Sequence, residues 1–287
     1  MKETIKRWVF WWIRDSRIFL HILFRVRVIK HETASRLGLI NSYPWYHLGL
    51  TEACFEASRL GVNSIYAFEF GVAGGKGLLH LVKAASALET RFPVKVHVLG
   101  FDSGTGMPRP IDHRDAPHLW NSGDFPMDRE VLKTELKGRA QVLLGMVADS
   151  IKLFDSRSVD SSRGSEGSVE VLFHELGVDT TIPVGFVAFD LDYWSSTRDA
   201  LKVFETVKTL PRVWSYFDDL NYVAENQGEY LAITDHNSGK TGAKSFISRV
   251  ELSLPHWVNW AHRMRIVHFF DHESYCVPIH GFQEIRL

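Results

Sequence analysis

The sequence predicts a doubly wound α/β fold: a mainly parallel, seven-stranded sheet, an antiparallel strand pair near the C-terminal end and a helical extension at the N-terminal end. Three observations predict it. Short apolar runs of strand length alternate with segments of helical period. The first of these runs feeds directly into a Gly-rich turn, GVAGGKG at 71–77. Later runs end in carboxylates, at Asp102, Asp190 and Asp218, and in an open parallel sheet the carboxyl ends of the strands face the ligand crevice.

The 287 residues suffice for a substantial core, with 1–60 read as the extension and 61–287 as the main domain. Residues 1–30 interleave Lys2, Lys6, Arg7, Arg14, Arg17, Arg25, Arg27 and Lys30 with Trp8, Phe10, Trp11, Trp12, Phe19 and Phe24. No uncharged stretch there approaches the roughly 20 residues of a spanning helix, and no cleavage site follows a clean apolar run. A basic, aromatic segment of this kind either lies on an anionic membrane surface or packs on the domain or on a second subunit.

The main domain then runs strand 64–70 (SIYAFEF), helix 75–88, strand 94–101, helix 128–136, strand 140–144, strand 183–189, helix 197–209 and strand 212–217. Apolar runs at 265–270 and 275–279 are close enough to pair antiparallel. Two segments interrupt the series. Residues 155–168 (DSRSVDSSRGSEGS) are too rich in Ser, Gly and charge to bury much. Residues 103–126 hold four prolines together with Trp120, Phe125, His113 and His118, the make-up of a lid or binding loop.

Composition narrows the function. Lys and Arg number 33 against 34 Asp and Glu, a net charge of -1, so no basic field points to nucleic acid. Cys54 and Cys276 form neither a disulfide framework nor a zinc motif, which favours a reducing, cytoplasmic setting, at the inner face of a membrane if the N-terminal segment binds one.

The turn after Glu69 excludes two ligand classes. In a P-loop four residues separate Gly from Gly-Lys, and Ser or Thr follows; here Gly71 stands one residue too near Gly75-Lys76, and Gly77 follows. In the dinucleotide pattern the second and third glycines fall on Ala73 and Lys76, and Glu69 opposes a pyrophosphate. A cofactor with a cationic end and a ribose remains. S-adenosylmethionine fits, with Asp102 able to accept from both ribose hydroxyls.

The later acids carry a separate message. Asp190 and Asp218 lie 28 residues apart, about one βαβ unit, so they end neighbouring strands roughly 4.8 Å apart. Carboxylates that close raise one another's pKa unless a cation intervenes, and an oxygen-only set suits Mg²⁺ or Ca²⁺. Asp190 or Asp192 is then the general base.

The ordered set EFGVAGG, GFDSGTGMP, HLWNSGDF, FDLDYWSSTRDAL and YFDDL resembles the macrocin O-methyltransferase-like family of class I S-adenosylmethionine-dependent methyltransferases over about 64–235. The resemblance implies a Rossmann-like fold and transfer of a methyl group to a hydroxyl of a sugar or other natural-product-like small molecule. It implies Glu69, Gly71, Val72 and Gly75 at the cofactor turn, Asp102 and Ser103 at the ribose, and Met146 and Asp149 near the adenine. Asp190, Asp218 and Asp219 are implied at a magnesium ion beside the acceptor hydroxyl. Gly104 and Gly106 depart from the family pattern, as does the Ser/Gly-rich insert.

Two other classes compete. Asp190-Leu191-Asp192 is also the D-x-D with which nucleotide-sugar glycosyltransferases hold a metal and a diphosphate, a reading that leaves the Gly-rich turn and Asp218-Asp219 unexplained. A catalytically silent, membrane-associated scaffold is the other. Of fourteen histidines, His268 and His272 have the spacing of a helical metal pair but fall on a strand pattern. Asp235-His236-Asn237 reads as a solvated loop, and Trp257 and Trp260 read as core.

Overall fold

The structure, a computed structural model, describes residues 43–154, 170–172, 179–220, 225–238, 245–250, 258 and 260–278. The basic segment 1–30, the stretch 155–168 and Trp257 lie outside them. Helix α1 (Pro44–Arg59) starts with Pro at its first turn, where a missing N–H costs nothing. It is followed by β1 (Ser64–Phe70), α2 (Lys76–Glu89), β2 (Lys95–Asp102), α3 (Arg129–Leu136), β3 (Gln141–Leu144) and the short α4 (Val147–Ser150). Then come β4 (Glu170–Leu172), β5 (Val184–Phe189), α5 (Trp194–Leu201), α6 (Val203–Thr206), β6 (Thr209–Phe217), α7 (Gly228–Ser238), β7 (Phe246–Arg249) and β8 (Met264–His268).

The strands form one eight-stranded sheet in the order β4-β3-β2-β1-β5-β6-β8-β7. β3, β2, β1, β5 and β6 are parallel, whereas β4 and β8 run antiparallel to their neighbours. The doubly wound, mainly parallel fold with an antiparallel pair near the C-terminal end is therefore present. Setting β4 aside, the order reverses between β1 and β5, the topological switch point at which such sheets bind ligands.

Alternation along the strands sends side chains to two apolar layers. Ile65 and Ala67 of β1 join Phe186 and Ala188 of β5 under α1, α2 and α3. Tyr66, Phe68 and Phe70 join Val187 and Phe189 on the face covered by α5, α6 and α7. α1 belongs to the first layer, burying Tyr46, Leu48, Leu50 and Ala53. Among the described residues no helix is long and apolar enough to cross a membrane.

Three expectations change. The partner of the C-terminal strand is 246–249, not 275–279. Residues 269–277 instead make successive turns, with Tyr275 folded back so that its hydroxyl meets His268 Nδ1 at 2.8 Å and its carbonyl accepts from Arg212 at 3.2 Å. The helix expected over 197–209 begins at Trp194 and ends at Thr206, because the chain turns extended at Val207 to enter β6. Asp235, His236 and Asn237 lie on α7 rather than in a loop, pinned to Trp194, Ser245 and the backbone of Ile247. Trp260 is buried, as its core reading requires.

Candidate active site

Four central strands carry a phenylalanine at their last or last but one position. Phe101, Phe70, Phe189 and Phe217 are in register across β2, β1, β5 and β6 and stack with centroids 4.4, 5.5 and 4.5 Å apart. This row is the last aromatic layer the four strands share. The next residue of each strand is Asp102, Gly71, Asp190 and Asp218, and all four line one crevice of about 570 Å³.

The Gly-rich turn is built by exclusion and by Asp102. Gly71 adopts φ +85°, and a Cβ there would lie inside 3.0 Å of the Asp190 carbonyl oxygen, so the β1 and β5 ends approach only because no side chain intervenes. Asp102 Oδ2 accepts from the N–H groups of Val72 and Ala73, both at 2.9 Å, while Oδ1 accepts from Gly104 N at 2.6 Å. One carboxylate thus fixes the turn and the start of the next loop. Glu69 stands behind the turn with Oε1 accepting from Tyr46 Oη at 2.6 Å and Oε2 without a partner among the described residues. Burial pushes its ionisation well upward. A buried, half-satisfied carboxylate fits the cationic end of S-adenosylmethionine.

Of the expected cofactor residues, Gly71, Asp102, Ser103 and Met146 line the crevice. Glu69, Val72 and Gly75 stand outside its lining, and Asp149 forms an ion pair with Lys152 at 2.7 Å.

The acids gather on the other side of the crevice. Asp190 is exposed to the crevice, and its side chain has no hydrogen-bond partner among the described residues. Burial, then the charges of Asp218 and Asp219, raise its pKa from 3.8 to about 8. Asp192 has φ +58°, a left-handed conformation uncommon for a non-glycine residue. Burial and a hydrogen bond to Asp219 push its ionisation up, and burial also raises that of Asp219. Asp218 is held by Arg263 Nη1 at 2.8 Å and by the hydroxyl of Tyr216.

The donor chemistry, oxygen throughout, fits Mg²⁺. The arrangement does not collect it: among the described residues no group of three His, Cys, Asp or Glu side chains is placed to hold a metal ion. Asp218 is turned to Arg263, and Asp192 to Asp219.

The loop 103–126 forms the outer wall through Met107, Pro108, Arg109, Ile111, Trp120 and Phe125. It closes on itself at Met107 and Asp124 (2.8 Å), where Gly106 at φ +90° leaves no room for a side chain. Fully buried Asp115 staples it to α5, accepting from Ser195 N at 2.8 Å and Ser195 Oγ at 2.9 Å. Beside this staple, Arg114 lies 3.5 Å over the Trp194 ring.

Tyr46, Asp115, Glu229 and Arg263 were not singled out from sequence. Glu229 in the first turn of α7 reads locally as a helix-dipole acid. Its partners, the N–H groups of Leu191 and Asp219 at 3.2 and 3.1 Å, become visible only in three dimensions.

Comparison with known proteins places beside this chain the calicheamicin methyltransferase CalS11, 18% identical with a TM-score of 0.48, over 90% of this chain and 95% of that one. The O-methyltransferase NovP is 16% identical with a TM-score of 0.47, over 77% and 79%. An O-methyltransferase from Bacillus cereus in complex with SAH is 10% identical with a TM-score of 0.40, over 86% and 96%. At these identities and scores the likenesses do not by themselves assign an activity. No protein-family model matches the chain, and no curated protein matches it.

Proposed function

We propose that this protein is an S-adenosylmethionine-dependent O-methyltransferase acting on a hydroxyl of a sugar or other natural-product-like small molecule. One observation carries the reading: the crevice at the switch point is lined by Asp102, Asp190, Asp192, Asp199, Asp218 and Asp219, with Arg109 as the single basic side chain among the described lining residues. Even with Asp190 largely protonated near neutrality and Asp218 neutralised by Arg263, acids outnumber the one base, which disfavours a diphosphate and favours a cationic ligand. The lining therefore favours a sulfonium cofactor over a nucleotide sugar held at Asp190-Leu191-Asp192.

In this reading Asp102 holds the turn that approaches the cofactor, with its one remaining lone pair, on Oδ1, open to a ribose hydroxyl. Glu69 Oε2, buried behind the turn and outside the crevice lining, would reach the cofactor's ammonium only after the turn shifts. Bound there, S-adenosylmethionine supplies an electrophilic methyl group. The chain's share is alignment and proton removal. The wall of Met107, Ile111, Trp120 and Phe125 excludes water and holds the acceptor oxygen against the methyl carbon. Asp190, unpaired and with a pKa near neutrality, takes the hydroxyl proton on a carboxylate oxygen, a role that contributes about 10²–10⁴-fold. Were Mg²⁺ bound, Asp190, Asp218 and Asp219 would hold it, after Asp218 turns from Arg263; the ion would supply Lewis acidity toward the acceptor hydroxyl, and the proton would go to Asp192 instead.

Calorimetry with S-adenosylhomocysteine and with a UDP-sugar tests the cofactor. Binding of the first and not the second is expected, and the reverse result refutes the proposal. Methyl transfer from labelled S-adenosylmethionine to a panel of glycosides and phenols, with and without EDTA, separates an enzyme from a silent scaffold and reads the metal requirement.

A further inference from the structure

We propose that Glu229 is a positioning residue that sets the spacing between the two acid-bearing turns and holds Asp192 in its left-handed conformation; only its catalytic consequence rests on the methyltransferase reading. Phe189 and Phe217 are the last paired residues of β5 and β6, and the bond from Asp218 N to the Phe189 carbonyl at 3.1 Å lies at the end of that pairing. Beyond it the two chain segments are linked by the Asp192–Asp219 side-chain hydrogen bond and by Glu229. Glu229 is fully buried, and its two oxygens divide between them: Oε1 accepts from Leu191 N at 3.2 Å and Oε2 from Asp219 N at 3.1 Å. A carboxylate is planar and rigid, so two N–H groups on its two oxygens have their separation fixed by its own geometry.

The same helix takes hold of the Asp192 turn at its far end. Asp235 of α7 accepts from Trp194 Nε1 at 2.8 Å. Asp192, at φ +58°, therefore sits between two residues, Leu191 and Trp194, that are both tied to α7. A non-glycine residue persists in a strained conformation when its surroundings over-determine it, and these ties supply that constraint.

The test is hydrogen exchange at the Leu191 and Asp219 amides of the full chain, read by NMR. In the unmodified protein both amides should be protected relative to neighbours that bond only to water; equal exchange there overturns the proposal without any variant. In Glu229→Gln the side-chain amide presents N–H to one of the two backbone donors. Exchange at one or both amides should accelerate about tenfold or more, while S-adenosylhomocysteine affinity changes less than about threefold, and kcat falls at constant KM for S-adenosylmethionine. Unchanged protection in Glu229→Gln overturns the proposal. Glu229→Asp keeps the charge but is one methylene short of spanning both donors, so wild-type protection in that variant also overturns it. Failure of unmodified protein to bind S-adenosylhomocysteine would sink the methyltransferase reading and leave the exchange result standing.

Discussion

Arg263 Nη1 lies 2.8 Å from Asp218 Oδ1 and 3.0 Å from the hydroxyl of Tyr216. A single cation from the turn before β8 thus neutralises one acid of a crowded set, and its charge also lowers the pKa of Asp190. The electrostatics of the crevice are set partly by the antiparallel pair that closes the sheet, not only by the parallel strands that carry the acids.

Arg263→Met should therefore move Asp190 further upward. A general base works when deprotonated, so kcat/KM in the wild type should rise with pH through about 8 and level off above it. In the variant the same limb should lie at higher pH. A pH profile of both proteins checks this, and a limb that stays in place would remove Asp190 from the base role.

The same shift has a consequence for stability. The folded-state pKa of Asp190 is raised from 3.8 to about 8, so the folded protein binds the extra proton. The resulting stabilisation is fully present below the unfolded pKa and is lost as pH rises through the folded one. Thermal melts should show the midpoint falling across this window, and Mg²⁺ should raise it more at the alkaline end than at the acid end. A midpoint that Mg²⁺ leaves untouched at every pH argues against a divalent ion among these carboxylates.

Asp102→Asn leaves one carbonyl oxygen where two oxygens now serve Val72, Ala73 and Gly104. At least one buried N–H loses its acceptor, at a cost of about 1–3 kcal/mol. Because those donors shape the turn, S-adenosylhomocysteine affinity should fall by about tenfold or more, the binding equivalent of 1.4 kcal/mol. Calorimetry together with denaturant unfolding measures both, and intact affinity would mean that the turn holds its shape without Asp102.

Much of this was legible in the sequence because it is local. A phenylalanine followed by an acid at 101–102, 189–190 and 217–218, and by glycine at 70–71, marks where buried strands emerge into the crevice. The apolar run at 275–279 misled because its described part, 275–278, makes turns packed on Arg212 and His268 rather than a strand. Strand 246–249 was missed because four residues give too short a pattern, and β4 lies at the end of a polar insert. Arg263, Glu229 and Asp115 act across 45, 38 and 80 residues of chain, and a contact of that range leaves no trace in spacing.

The closest constraint on the site is steric, and a pair of glycines isolates it. A Cβ at Gly71 would fall inside 3.0 Å of both the carbonyl oxygen and carbon of Asp190, backbone that cannot swing away, and φ +85° adds a conformational cost of about 1–2 kcal/mol for any L-residue. Relief would require the β1 and β5 ends to separate, breaking the bond from Asp190 N to Phe70 O at 2.9 Å and the Phe70–Phe189 stack. Gly71→Ala should lose about 3 kcal/mol or more of stability and abolish S-adenosylhomocysteine binding. At Gly74, three residues on, a Cβ meets nothing within 4 Å, so Gly74→Ala should stay within about 0.5 kcal/mol of wild type. Denaturant unfolding and calorimetry on the two variants then divide the causes. Equal loss of binding at both positions, with stability kept at Gly74, would show that the cofactor itself needs bare backbone along the whole turn; loss at Gly71 alone assigns the requirement to the contact with Asp190.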